Sequence, residues 1–303
     1  MRMPWRFTGK PMTLSEWNCS EPSPASAGCV PMAAVLGALQ DWDAVFFFDY
    51  DSTAKDIETW RRQNVINFFD FNGQPVKLAA VSMFANVFLR GDLQPLQTEL
   101  IAPVDEPLSG ALSLSHRVGV SSKVDKTPSH TLPNINDMRM PDGSLSWRSK
   151  PPAFGVLTID TPATQGLWGT IANESCKTAN LEIAVQEIDP NHGIVVASTN
   201  DGLPINESKS ILLLAASHSE NMNMKWNDDR TSVGDQWGDG PTQVTGFDAK
   251  VRLTGITSPA KVYVLDGTGK RIGEAKAVQS EKAIEFNVSA ANKTIWYEIA
   301  VGL

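Results

Sequence analysis

The chain predicts a composite of two fold classes, α/β followed by all-β: two β/α units, then an antiparallel β-sandwich. Two observations carry this. Over residues 1–92, apolar runs of strand length alternate with apolar stripes at helical spacing, whereas residues 93–303 break into short alternating runs between Pro, Gly, Asn and Asp turns. A chain of 303 residues has room for two such units, each with its own core.

Residues 11–17 (PMTLSEW) read as a buried strand, entered from the turn Gly9-Lys10-Pro11 and leaving into a Ser/Pro-rich loop over 18–28. A helix follows over 30–42, with Met32, Val35, Leu36 and Leu39 on one stripe and a stop at Asp41-Trp42-Asp43. The continuous apolar run 44–50 (AVFFFDY) is expected to be a parallel strand covered on both faces. Residues 51–70 are irregular, with Trp60, Phe68 and Phe69, and lead into a second helix over 74–90 striped by Val76, Leu78, Ala79, Met83, Val87 and Phe88.

In the second unit the expected strands are 156–160, 166–172, 181–187, 193–198, 210–217, 249–253, 261–265, 283–288 and 294–301, a spacing that suits a sandwich. Asp266-Gly267 between Val264 and Ile272 signals a hairpin turn with positive φ. Residues 121–150 are polar and read as a long loop.

Composition excludes several functions. The net charge of -8 argues against a nucleic-acid surface, which needs clustered Lys and Arg. Apolar runs such as 44–48 are far short of the about 20 residues that span a membrane. Residues 1–10 are basic but lack the apolar stretch of an export signal. Three cysteines are too few for a disulfide scaffold; Cys19 and Cys29 either pair across a loop or stay as thiols, and Cys176 stands apart. The four histidines (His116, His130, His192, His218) show no ligand spacing and read as surface or loop residues. No Gly-x-Ser-x-Gly, P-loop or His-Glu-x-x-His motif is present.

Glu16 stands out by position, at the C-terminal end of an expected buried strand, which is where the barrel fold places its active site. A carboxylate there can attack an anomeric carbon, with Trp17 as an apolar platform for a sugar ring. Asp49 and Asp51 lie on the next strand, either to orient a sugar hydroxyl or as solvated loop acids.

The runs GKPMTLSEWN, LQDWD, AVFFFDY and FLRGD, in this order over roughly residues 5–92, resemble the last two β/α units of clan A glycoside hydrolases, the cellulase-like superfamily. The resemblance implies that residues 1–92 are a partial (β/α)8 barrel, its last two β/α units, and that the protein is a retaining glycosidase of plant or algal polysaccharides or oligosaccharides, with Glu16 as nucleophile. Trp17, Asn18 and Tyr50 or Trp60 would then line the sugar subsite. In that clan the general acid/base is the Glu of an Asn-Glu pair after the fourth strand, which would precede Met1. Asn173-Glu174 and Asn206-Glu207 follow the barrel segment and read as surface pairs in sandwich loops. The chain is therefore expected to be a fragment with little activity of its own, since about 250 residues are needed to close the barrel. Uncovered barrel strands would pack on the sandwich or drive self-association. The parent enzyme is expected outside the cell or in the periplasm.

The segment 218–241 is dense in Asn, Asp, Gly and Trp and admits three readings: a loop packed on the barrel, a sugar-binding face built on Trp226 and Trp237, or a calcium site drawn from Asp228, Asp229, Asp235 and Asp239. No other cofactor is expected. The rival function is a non-catalytic carbohydrate-binding or structural β-sandwich module.

Overall fold

The computed structural model describes residues 6–302 apart from 54, 107, 135 and 152. Its first part runs β1 (Arg6–Phe7), β2 (Thr13–Trp17), α1 (Cys29–Leu39), β3 (Ala44–Phe47), α2 (Ile57–Trp60) and α3 (Pro75–Leu89). β2 and β3 are parallel neighbours joined through α1, as the alternation of strand and helix patterns predicts. After α3 come β4 (Glu99–Ala102) and β5 (Arg117–Val120), which form a three-stranded parallel sheet with β1 in the order β1-β5-β4. The chain's start thus lies against residues expected to belong to the second unit.

The remaining strands are β6 (Asp137–Arg139), β7 (Leu145–Lys150), β8 (Ala153–Asp160), β9 (Thr164–Gly169), β10 (Ser175–Lys177), β11 (Leu181–Val185), β12 (Gly193–Thr199) and β13 (Ser210–Ala216). They are followed by β14 (Ser219–Met222), β15 (Asp239–Val244), β16 (Ala249–Thr254), β17 (Ala260–Leu265), β18 (Arg271–Ala275), β19 (Ala277–Ser280), β20 (Ala283–Val288) and β21 (Trp296–Val301). A nine-stranded sheet, β18-β17-β21-β13-β12-β9-β8-β7-β6, faces a five-stranded one, β10-β11-β16-β20-β19; all pairs within both are antiparallel.

The strand alternation decides which face each residue buries. Leu167, Val195, Ala197, Leu213, Tyr297 and Ile299 of the larger sheet meet Leu181, Ile183, Val251, Leu253, Ile284 and Phe286 of the smaller one, which makes the sandwich core. The alternate residues of the larger sheet, Leu157, Ile159, Trp168, Ile194, Val196 and Leu214, point the other way and form a second core with α1 and α3. The large sheet is therefore apolar on both faces in its centre, and β9 and β12 are buried along their whole length. Phe84 of α3 meets Trp168 edge-on, with ring centroids 5.3 Å apart.

Polar clasps lock the helices onto the sheets. Arg90, just past α3, donates to the Thr199 carbonyl at 2.6 Å and pairs in bidentate fashion with Asp92, whose carboxylate also accepts from Thr164 Oγ1 at 2.6 Å. At the end of α1, Gln40 donates to the carbonyls of Ser113 and His116, both at 2.7 Å, and accepts from Val118 N. The sequence run FLRGD thus acts as a helix end bolted to β9 and β12.

Several expectations are corrected. Within the polar segment 121–150, residues 137–139 and 145–150 are the strands β6 and β7; β7 pairs with β8 and β6 with β7, and Met138, Leu145 and Trp147 pack into the core from an otherwise polar stretch. The hairpin joining β17 and β18 forms, but its left-handed residue is Gly269 and not Gly267, because Asp266 Oδ1 accepts from Thr268 N and Lys270 N and widens the turn. The strand expected to be covered on both faces, β3, is open on one, where Phe46 is 57 % exposed.

His192 and His218 are buried, not surface residues. His192 precedes β12 and sits against Gly28 at the start of α1, where an added Cβ would come within 3.0 Å of its Nε2. Burial, with a further push from His218, lowers its pKa from 6.5 to about 4. Unfolded chains take up a proton below pH 6.5 that the folded chain refuses until about pH 4, so this stability is complete above pH 6.5 and is lost on acidification. Between pH 7.5 and 4.5 the loss is about 2–3 kcal/mol. Urea midpoints at the two pH values check it: the difference shrinks by that amount in His192→Gln.

Candidate functional site

The site begins with a register shift. Thr13 and Leu14 pair with Ala44 and Val45, but Trp17 pairs with Phe47, so Ser15 and Glu16 together oppose the single residue Phe46. Such a bulge breaks the side-chain alternation and re-aims what lies on it. Ser15 and Glu16 are both exposed, next to exposed Phe46, while Leu14, Trp17, Val45 and Phe47 turn toward the helices. Glu16 has no hydrogen-bond or ion-pair partner among the described residues.

The chain beyond β3 extends the open face. Phe48 N donates to Trp17 O at 3.1 Å, and the backbone of Asp49 and Tyr50 pairs with Phe69, Phe71 and Asn72. Phe48 packs at 6.1 Å from Phe69, and Tyr50 at 5.4 Å from Trp60; all four rings are substantially exposed. These rings and Glu16 lie at the C-terminal ends of two parallel strands.

Trp17 and Asn18 do not serve as expected. The Trp17 indole donates to the Cys29 carbonyl at 2.9 Å and packs against the helical core, on the face away from Glu16. Asn18 is consumed as a brace: its amide nitrogen donates to the carbonyls of Phe48, at 2.6 Å, and Phe69, while its oxygen accepts from Cys19 N and Lys77 Nζ. Phe46 and Phe48 supply the apolar surface that Trp17 was expected to provide. An alternation from Trp17 through an unbroken strand hides this; the bulge is a backbone feature with no residue signature.

Beneath the strand ends lies a buried ion pair that the sequence did not disclose. Lys77 of α3 has no exposed side-chain surface, and its Nζ reaches Glu21 at 2.7 Å, Asn18 Oδ1 at 2.9 Å and the Cys19 carbonyl at 2.7 Å. Gln74 donates to the same Glu21 carboxylate at 3.1 Å. Lys77 occupies an inward position of a helical stripe, where an isolated lysine usually reads as a surface residue.

Asp51 is not solvated: its carboxylate is fully buried and pairs with Arg62 at 2.8 Å. Burial works against its charge, but hydrogen bonds from Asn72 and Thr53 and the Arg62 guanidinium outweigh it and hold the carboxyl below its usual range. Arg62 also pairs with buried Asp70. Asp49 faces Asp70, and its Oδ1 is buried without a partner among the described residues. Burial first, then the hydrogen bond and charge of Asp70, push the Asp49 carboxyl up. These acids stiffen the loop that carries Tyr50 and Trp60.

The 218–241 segment is a hairpin of β14 and β15 docked on the loop after α2. Asn221 exchanges hydrogen bonds with the Val65 backbone at 2.9 and 2.7 Å, Thr242 N donates to Gln63 O at 2.6 Å, and Thr242 Oγ1 to Gly73 O at 2.7 Å. Trp237 abuts Phe68 edge-on at 5.4 Å. Trp226 donates to Glu220 at 2.8 Å and lies under the Arg230 guanidinium, 5.1 Å from its ring centre. Asp228, Asp229, Asp235 and Asp239 are all exposed, and no group of three or more His, Cys, Asp or Glu among the described residues is placed to hold a metal ion. Glu174, read as a surface residue, is largely buried in ion pairs with Arg148 and Lys150.

Compared with family models, curated proteins and solved structures, the chain matches none. Among the described residues no helix is long and apolar enough to cross a membrane.

Proposed function

We propose that this chain is the C-terminal part of a retaining glycoside hydrolase acting on a plant or algal polysaccharide or oligosaccharide, with Glu16 as the nucleophile. The observation that carries the reading is the bulge at Ser15-Glu16, which turns an unpaired carboxylate onto an open aromatic face at the C-terminal end of a parallel strand. A glycosidase nucleophile needs that combination: a free carboxylate oxygen for the anomeric carbon, and ring faces to stack a sugar.

The general acid/base comes from further β/α units, and the open parallel pair is suited to receive them. β2 and β3 pair only with each other among the described residues, although parallel strands are stable when flanked and covered on both faces. Alongside β3, an apolar groove of about 290 Å³ lined by Val45, Phe47, Val81, Phe84, Phe88 and Leu89 has the chemistry of a site for a further barrel strand.

The binding-module reading draws less support, because Trp226 and Trp237 are engaged by Glu220, Arg230 and Phe68. The test is turnover of aryl β-glycosides by the polypeptide that contains this chain and the preceding reading frame. Glu16→Gln is expected to lower kcat by at least about a thousandfold with little change in folding. Equal turnover by the variant would remove Glu16 from the mechanism.

A further inference from the structure

Cys19 and Cys29 flank the loop between β2 and α1, and both belong to one cluster. Asn18 Oδ1 accepts from Cys19 N at 2.8 Å and lies 3.8 Å from Cys29 Sγ. Lys77 Nζ donates to the Cys19 carbonyl at 2.7 Å. The Cys29 thiol and the Cys19 backbone thus meet at the same Asn18 oxygen. Cys19 is partly exposed, Cys29 is buried, and Cys176 lies apart on β10 of the small sheet.

We propose that Cys19 and Cys29 form a structural disulfide that closes loop 20–28 directly behind the strand end bearing Glu16, made by exchange with a disulfide-bearing oxidant such as oxidised glutathione or a protein dithiol oxidase. Cys19 is the attacking sulfur, since it is the exposed member of the pair. The adjoining Cys29 thiol and the nearby Lys77 charge favour its thiolate, and the neighbouring Cys19 sulfur together with burial holds the proton on Cys29. The Cys19 thiolate attacks one oxidant sulfur, and the oxidant's S–S bond breaks to release one thiol, which carries the Cys19 proton. Cys29 then loses its proton, attacks Cys19 Sγ and expels the second oxidant thiol, so two electrons pass to the oxidant and one S–S bond replaces two S–H bonds. The bond would cross-link the segment whose Asn18 amide ties the ends of β2 and β3 together.

The experiment equilibrates the whole chain in an oxidised glutathione buffer, alkylates free thiols, and maps the unreduced digest by mass spectrometry. A single peptide carrying both Cys19 and Cys29, unalkylated and two hydrogens lighter than the dithiol, with Cys176 alkylated, is the expected result. The oxidised chain is also expected to melt about 5 °C above the reduced one, an increment missing from Cys29→Ser. Alkylation of both Cys19 and Cys29 under oxidising conditions, or a bridge that engages Cys176, overturns the proposal; because the map is made on the unsubstituted chain, it does not depend on how any variant folds.

Discussion

Lys77→Ala is expected to lose about 3–5 kcal/mol of stability, the cost of breaking a buried ion pair from one side. The lysine has no exposed surface, and Glu21 beneath it is 3 % exposed, so removing the ammonium leaves a carboxylate in the core with only Gln74 as a side-chain donor. Asn18 Oδ1 and the Cys19 carbonyl lose a donor in the same step. The Phe71 ring, 5.3 Å from Nζ, loses its cation contact as well. Equilibrium urea unfolding measures the effect. The double variant Lys77→Met with Glu21→Gln should recover much of the loss, because it removes the uncompensated charge and refills the volume. A loss below about 1 kcal/mol for Lys77→Ala would mean that water reaches Glu21 and that the pair is not a keystone of the loop.

Phe84→Ala is expected to cost a similar amount, about 3–5 kcal/mol, for a different reason. Phe84 is 1 % exposed and meets Trp168, itself without exposed surface, at 73° between the ring planes. This is the contact through which α3 covers the large sheet, and neither β9 nor α3 can close on the space that an alanine leaves without disturbing the Arg90–Asp92 clasp. Leu89, five residues along the same helix but 79 % exposed, is the control: Leu89→Ala should change stability by less than about 0.5 kcal/mol. Comparable losses at the two positions would contradict the packing of α3 on the sheet.

Regular elements with strong apolar patterns were legible from the residues. The helices at 30–42 and 74–90 appear as Cys29–Leu39 and Pro75–Leu89, and the strand expected at 283–288 is Ala283–Val288. The strands that escaped notice lack such a pattern. Arg271–Ala275 and Ala277–Ser280 are almost wholly exposed, and Asp239–Val244 contains Gly240 and Pro241; backbone pairing with a neighbour, not burial, makes them strands. The large sheet is apolar on both faces because helices cover what would be the outer face of an ordinary sandwich, a relation that no local window contains.

At the candidate site, Glu16, Tyr50 and Trp60 could be selected in advance because position on a strand end or loop marks them. Asn18 and Trp17 could not be separated from them, since the bulge that sends Glu16 outward and Trp17 inward depends on pairing with β3. Lys77, Glu21, Asp70 and Arg62 were invisible for the opposite reason: buried charges are recognised by their partners, and these partners meet only in the folded chain.

Whether β2 and β3 complete a barrel glycosidase can be read from the codons immediately upstream of Met1 in the source DNA. The expected result is an open frame of roughly 250 codons or more that encodes six β/α units, with an Asn-Glu pair after the fourth buried strand. A stop codon directly before Met1 would contradict this reading.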